Sequence, residues 1–332
     1  MPVSSRPHLL LVNLGTPEAP TAESVRAFLD EFLSDPAVVD IPRWIWQPIL
    51  KTFVLRSRPA RIAEAYEAVW TDEGSPLRVA TNRIVDAVRS RANGDFTVSS
   101  AYRYGRPSLH EEMRRLATET DGPVIVVPLF PQRTDATTGT AFWRAREAAA
   151  SAGISHRYRE ALVAPADEDY IAALASRWET TLATAPETPE HLVISFHGIP
   201  TRYDRRERRQ YTRDCEETAA ALLVTCNWPT SKATIAYQSR FGPEPWLTPA
   251  TSTVIEELAR SGIRHLAVVT PGFLTHGLET LEEIGIRGRD SFLEAGGDYL
   301  ALVDTVEDHP RMIDSLARLA TASDRMDARC IA

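Results

Sequence analysis

Residues 192–200 read LVISFHGIP. The first four are apolar or small, as in a strand covered on both faces. They lead into Phe196, His197 and Gly198, and Pro200 ends the run. A strand that carries a histidine to its carboxyl end delivers the imidazole to the rim of its sheet. In open parallel sheets, ligands bind in the crevice beyond that rim. A satisfied histidine of the core would give the same short pattern, so this stretch alone leaves both readings open.

Working outward, similar apolar runs recur. Strands are expected over 9–14 (LLLVNL), 97–102 (TVSSAY), 124–129 (VIVVPL), 234–237 (TIAY), 266–270 (LAVVT) and 299–303 (YLALV). Between them lie segments with helical spacing. One starts at Thr21 and runs to about Leu33, another starts at Ser108, and others cover 61–70, 141–152, 170–182, 215–223, 254–259 and 310–319. Strands alternating with helices through short connections give an α/β protein with parallel sheets. The expected fold is two doubly wound halves, each a parallel sheet flanked by helices. The expected divisions are 1–160, 161–310 and a C-terminal helical segment, 311–332, that packs back on the first half.

Composition narrows the function. The chain has 332 residues, 43% hydrophobic and 25% charged, with a net charge of −8. That suits a soluble globular protein and argues against bulk nucleic-acid binding. No apolar run reaches the roughly 18 residues of a membrane span. The cysteines are Cys215, Cys226 and Cys330, with no CxxC spacing. They fit a reducing compartment and exclude an all-cysteine four-ligand cluster. A cytoplasmic location follows, and neither a GxGxxG nor a Walker A motif suggests a nucleotide.

The strand at 266–270 runs into PGFLTHGLETLEEIGIRGRD. His276 lies three residues before Glu279, and Glu279 and Glu283, four apart, share a helix face. Carboxylates at a helix start are ordinarily a solvated, dipole-favoured feature. Here the element follows a strand just as His197 does, so both open toward the same end of one sheet. A histidine near a carboxylate could move protons or hold a divalent metal briefly.

Two other segments stand out. Residues 41–59 mix Trp44, Trp46, Ile49, Leu50, Phe53 and Val54 with Arg43, Lys51, Arg56 and Arg58. They read as a half-buried helix, or as an apolar lip with a cationic fringe for a flat ligand or membrane surface. Residues 202–213 carry six arginines, a solvated helix start or an anion site.

The motifs LLVNLGTP, EGSPL, RYGRPS, PLFPQ followed by TTG, SFHGIP, YQSRFGPEPWLTP and PGF followed by LETLEEI, in this order from residue 10 to 284, resemble those of the ferrochelatases of Gram-negative bacteria. Each is short, but their succession is specific. The resemblance implies insertion of ferrous iron into protoporphyrin IX to give protohaem, with release of two protons, as the last step of haem biosynthesis. It implies two similar halves facing a porphyrin cleft, and no cofactor beyond the substrate Fe²⁺. His197 matches the family's histidine in SFHG, and Glu279 its glutamate in LET, as catalytic and metal-handling residues with Glu283 in support. Arg58, Tyr66 and Ser75 match porphyrin-contacting positions. Arg103, Tyr104, Gln238, Ser239 and Trp246 fall at further cleft positions. The segment from Ile41 falls at the family's apolar lip, which allows a peripheral contact with the inner membrane.

There are departures. His276 stands where relatives have an aspartate, and it could be a second ligand or a tolerated change. Arg287 interrupts an acidic stripe, and the GDPY before the cysteine-bearing helix is missing. The three cysteines rule out the family's four-cysteine [2Fe–2S] cluster. The alternatives are a chelatase for another tetrapyrrole or metal, such as coproporphyrin or cobalt, and a non-catalytic porphyrin or haem carrier.

Overall fold

The computed structural model describes residues 5–321; Cys330 and the end of the C-terminal segment lie outside them. Among the described residues, eight strands form two parallel four-stranded sheets. The first contains β1 (His8–Asn13), β2 (Thr97–Tyr102), β3 (Val124–Pro128) and β4 (Tyr158–Glu160), in the order β2-β1-β3-β4. The second contains β5 (His191–His197), β6 (Ala233–Gln238), β7 (His265–Val269) and β8 (Tyr299–Leu302), in the order β6-β5-β7-β8. The two halves therefore repeat one topology. The three-residue β4 (YRE) has no apolar run, which is why sequence patterning passes it over.

Burial explains the strand sequences. Every residue of β1 and of β3 is buried, because helices cover both faces of a parallel sheet. In the first half Leu10, Val12 and Val126 pack with Met113, Leu116 and Phe142 from helices. In the second, Val193, Leu266 and Val268 pack with Ile255, Ile284 and Phe292. Each such side chain contributes about 1.5–3 kcal/mol on burial. Helix starts follow local chemistry: Thr21 accepts from the Ser24 N–H, and Ser108 with Glu111 forms a reciprocal capping box.

Two stretches depart from the sequence expectation. Residues 76–91 form a helix, Pro76–Arg91, that is not among the expected helical segments. Pro76 occupies its first turn, and Ala80, Ile84 and Val88 bury one face at a spacing of four. The interleaved Arg78, Arg83, Asp86 and Arg89 obscure that period. Residues 41–59 form no single helix. Arg43–Ile49 is α-helical, Leu50–Val54 is a wide π-turn, and Leu55–Ser57 resumes the helix. Trp46, Leu50, Val54 and Leu55 pack against Val25, Leu29 and Leu33, and the Trp46 indole N–H donates to the Leu33 carbonyl at 2.6 Å. Trp44 and Phe53 are 79% and 67% exposed.

The chain divides into two compact units. One holds residues 5–130, Asp135–Val163 and residues 313–321; the other holds Pro131–Thr134 and Ala164–Met312. Within the first, Asp314 of the last helix, Pro310–Thr321, pairs with Arg91 at 2.7 Å.

Candidate active site

Parallel pairing sets His197, the last residue of β5, beside Gln238, the last of β6. The Gly198 N–H donates to the Gln238 carbonyl at 2.7 Å. A β-carbon on Gly198 would lie 2.7 Å from that carbonyl oxygen and 3.2 Å from the Trp246 ring. Only glycine allows so close an approach, so the SFHG sequence has a steric reason. The buried Tyr211 hydroxyl donates to the His197 carbonyl at 2.6 Å. Burial holds that phenol far above its ordinary titration range, so it stays a donor.

His197 itself is half-buried, and its ring lies 6.3 Å from that of Phe273. Its Nδ1 is 2.6 Å from the Gly198 carbonyl oxygen. A carbonyl only accepts, so Nδ1 carries the hydrogen and, in the neutral ring, Nε2 keeps its lone pair. The backbone thus selects the tautomer.

The other half of the site follows β7. An ordinary helix was expected from residue 279, but Leu278–Gly288 is a π-helix. Its i→i+5 bonding widens each turn, so residues four and five apart lie over one another. Glu279 is half-buried. Desolvation raises its carboxyl above the ordinary value; His197 opposes that rise, while Glu283 and Glu282 add to it. A β-carbon on Gly277 would lie 3.3 Å from the Glu279 carboxylate. Glu283 is held at both oxygens by Ser239, through the backbone N–H at 2.8 Å and the hydroxyl at 2.5 Å. Arg287 turns to Glu282, with Nε and Nη2 bonds of 2.7 and 2.9 Å. The departure from an acidic stripe is therefore absorbed as an ion pair one wide turn away.

Both ring nitrogens of His276 have partners. Its Nε2 lies 2.5 Å from Asp304 Oδ1 and its Nδ1 lies 3.0 Å from Thr280 Oγ1. The bond from His276 is the main reason the Asp304 carboxyl lies below its ordinary range. Asp304 follows β8 as Glu279 follows β7; an acidic residue just past a strand was the signal that sequence reasoning passed over. Ser195, which contacts Gln238, was likewise missed, because a buried serine in a strand carries no distinctive pattern.

Other candidates lie in the first unit. The Arg103 guanidinium pairs with Asp35 and donates from Nε to Thr140 at 2.8 Å. The Tyr104 hydroxyl donates to Asp35 at 2.7 Å. Burial alone would raise the Asp35 carboxyl, but bonds from Ala37, Arg103, Tyr104 and Thr140 outweigh it and hold it low. Arg103 and Tyr104 are buried in this network, so its first task is structural. Ser75 is buried, with its hydroxyl 2.8 Å from that of Thr16. Tyr66 packs edge-on against Trp70, and Arg58 is exposed. Of the arginine run, Arg205, Arg206, Arg208, Arg209 and Arg213 are exposed, as a solvated face requires. Among the described residues, no group of three or more His, Cys, Asp and Glu side chains is arranged to hold a metal ion. His197 and Glu279 supply one nitrogen and one oxygen donor, a set suited to a metal in transit.

Comparisons with known proteins bear on this arrangement. The sequence model of the ferrochelatase family matches residues 7–324. The ferrochelatase of Edwardsiella ictaluri is 40% identical over 320 residues, covering 95% of this chain and 97% of that protein. That of Methylococcus capsulatus is 40% identical over 329 residues, covering 96% and 97%. Among solved structures, the sirohydrochlorin chelatase SirB from Bacillus subtilis subspecies spizizenii, in complex with cobalt, superposes with a TM-score of 0.57 at 10% identity, covering 96% of this chain and 95% of that one. SirB from Bacillus subtilis with Fe³⁺ gives 0.53 at 13% identity, covering 96% and 97%. At these identities the likeness shows a shared fold.

Proposed function

The chain belongs to the ferrochelatase family, and we propose that His197 and Glu279 are the reacting pair with which it works. It inserts ferrous iron into protoporphyrin IX, the last step of haem biosynthesis. A free-base porphyrin carries two pyrrole N–H groups inside a planar ring. Both protons must leave, and the lone pairs must turn to the metal, before iron enters. Bending the macrocycle tilts a pyrrole out of plane, and remote binding contacts supply that strain.

In this reading His197 accepts a pyrrole proton at Nε2. Glu279 takes the proton onward or passes the substrate Fe²⁺ inward, and Glu283, fixed by Ser239, supports it. The observation that carries the reading is the locked tautomer: Nδ1 bound to the Gly198 carbonyl leaves Nε2 as an acceptor, beside a carboxyl whose charge couples to that ring. A raised carboxyl gains and loses a proton closer to working pH, which suits relay chemistry. Arg58, Tyr66, Ser75 and Trp246 are assigned to the porphyrin, with Arg58 toward its carboxylates. Arg103 and Tyr104 are tied to each other through Asp35. The reaction needs no cofactor and no [2Fe–2S] cluster, and no nucleic acid takes part.

No helix among the described residues is long and apolar enough to cross a membrane. We assign the exposed Trp44 and Phe53, with Lys51 and Arg56, to a peripheral contact of a cytoplasmic enzyme with the inner membrane. The test of function is anaerobic turnover of protoporphyrin IX with Fe²⁺ or Zn²⁺, followed by fluorescence. Many equivalents of metalloporphyrin per chain are expected. No more than one equivalent would identify a carrier, and faster turnover with coproporphyrin or Co²⁺ would reassign the substrate.

A further inference from the structure

We propose that Gln238 is the positioning residue that sets Glu279 against His197. The inference rests on the assignment of those two as the reacting pair. Gln238 is 3% exposed. Its Oε1 accepts from the Ser195 hydroxyl at 2.7 Å, and its Nε2 donates to the Glu279 backbone carbonyl at 2.7 Å. A backbone carbonyl only accepts, so the amide has one orientation. Ser195 also lies 2.8 Å from the Thr251 hydroxyl. Since the Ser195 hydrogen goes to Gln238, Thr251 donates to Ser195, and the chain of bonds is directional.

The backbone of Gln238 completes the clamp, because its carbonyl accepts from the Gly198 N–H at 2.7 Å. One residue thus touches the chain two positions before His197 and one position after it, and holds the main chain of Glu279 as well. The second Nε2 hydrogen faces Glu283 Oε2 at 3.5 Å. Both amide hydrogens point at the π-helix, which leaves none for a porphyrin. This separates Gln238 from Trp246, whose indole lies against Gly198. The neighbouring Ser239 has φ +65°, and that turn brings its N–H and hydroxyl to Glu283. Gln238 and Ser239 therefore tie Glu279 and Glu283 of the π-helix to the end of β6.

The amide is the group this position requires. A methionine fills the same volume with no donor and only a weak thioether acceptor. A glutamate, when ionised, turns an acceptor toward the Glu279 carbonyl; when protonated, it restores one donor and one acceptor. The experiment compares wild type, Q238M and Q238E, with H197A as a control, by steady-state Zn²⁺ and Fe²⁺ insertion from pH 6 to 9. Porphyrin affinity is read by fluorescence quenching and folding by thermal melts.

For Q238M, kcat is expected to fall about 10–100-fold, because displacing a reacting group by about 1 Å has that scale of effect. Porphyrin Kd should stay within about twofold of wild type, as a group that does not touch the porphyrin requires. For Q238E, kcat should be low at high pH and recover toward wild type as the new carboxyl protonates. A raised porphyrin Kd with unchanged kcat would overturn the proposal and make Gln238 a porphyrin contact. A pH profile for Q238E parallel to that of wild type would also overturn it. If Q238M fails to fold, the acid recovery of Q238E decides. If wild type does not turn over, or H197A retains turnover, the functional reading fails instead, and the two failures are told apart.

Discussion

β1 and β5 occupy the same place in two copies of one topology, and they end differently. β1 ends at Asn13, a buried neutral amide that donates to Thr81 at 3.0 Å and accepts from the Leu14 N–H at 2.8 Å. β5 ends at His197, half-buried, with one nitrogen satisfied and the other left to accept. The segments after β3 and β7 show the same contrast. Each contains a π-helix, Asp135–Gly139 in one unit and Leu278–Gly288 in the other. The first reads DATTG; the second carries Glu279, Glu282 and Glu283. The scaffold repeats, but the histidine tip and the glutamate-bearing π-helix belong to one unit. An α/β sheet supplies a place for chemistry, and the residues at the strand ends decide whether chemistry occurs there.

The most direct way to break this contrast is at the two tips. His197→Ala should lower kcat for metal insertion by about 10³-fold or more, within the range of a lost proton acceptor, while porphyrin still binds. Retained turnover would remove the distinction between the units. The next effect is on stability and comes from the start of β1. His8 is buried, bonded to Thr97 and Ser99, and burial pushes its imidazole down to about 4. Unfolding frees it to protonate near 6.5. The unfolded chain therefore binds more protons between these values, and stability falls as pH drops from about 6.5 toward 4. The full loss is about 3 kcal/mol at about 1.4 kcal/mol per pH unit. Urea unfolding at pH 7.5 and 4.5 should show it, and His8→Gln should flatten the dependence.

Glu279→Gln sharpens the same contrast from the other side. Insertion should slow by about 10²-fold. The carboxyl is raised in the folded chain, so above its ordinary value the folded state binds more protons than the unfolded one. Its ionisation then weighs against folding as pH rises. The glutamine variant should melt higher than wild type at pH 8 and closer to it at pH 5; an unchanged difference would deny the strain. Asn13→Ala should cost about 1–3 kcal/mol of stability through the stranded Thr81 and Leu14 partners, with kcat within a few-fold. Arg287→Ala should be smallest, within about 1 kcal/mol in thermal melts, since the Glu282 pair is mostly solvent-facing on the arginine side.

Most of the sheet framework was legible because buried parallel strands are nearly continuous apolar runs, as in 9–14 and 192–196. The Pro76–Arg91 helix was not, since its buried Ala80, Ile84 and Val88 stand among charges. His197 and Glu279 could be singled out because one ends a strand and the other starts the helix that follows one, and local sequence reports that. The amino-acid sequence alone thus determined the repeated α/β layout, the absence of nucleotide motifs and the family resemblance. Tertiary structure alone decided the π-helix and the tautomer of His197. It also decided that His276 faces Asp304, and that Gln238 joins Ser195 to Glu279. The last two depend on where groups 28 to 43 residues apart come to rest. Hydrogen bonds are directional over about 3 Å, whereas apolar periodicity specifies only which face of an element is buried.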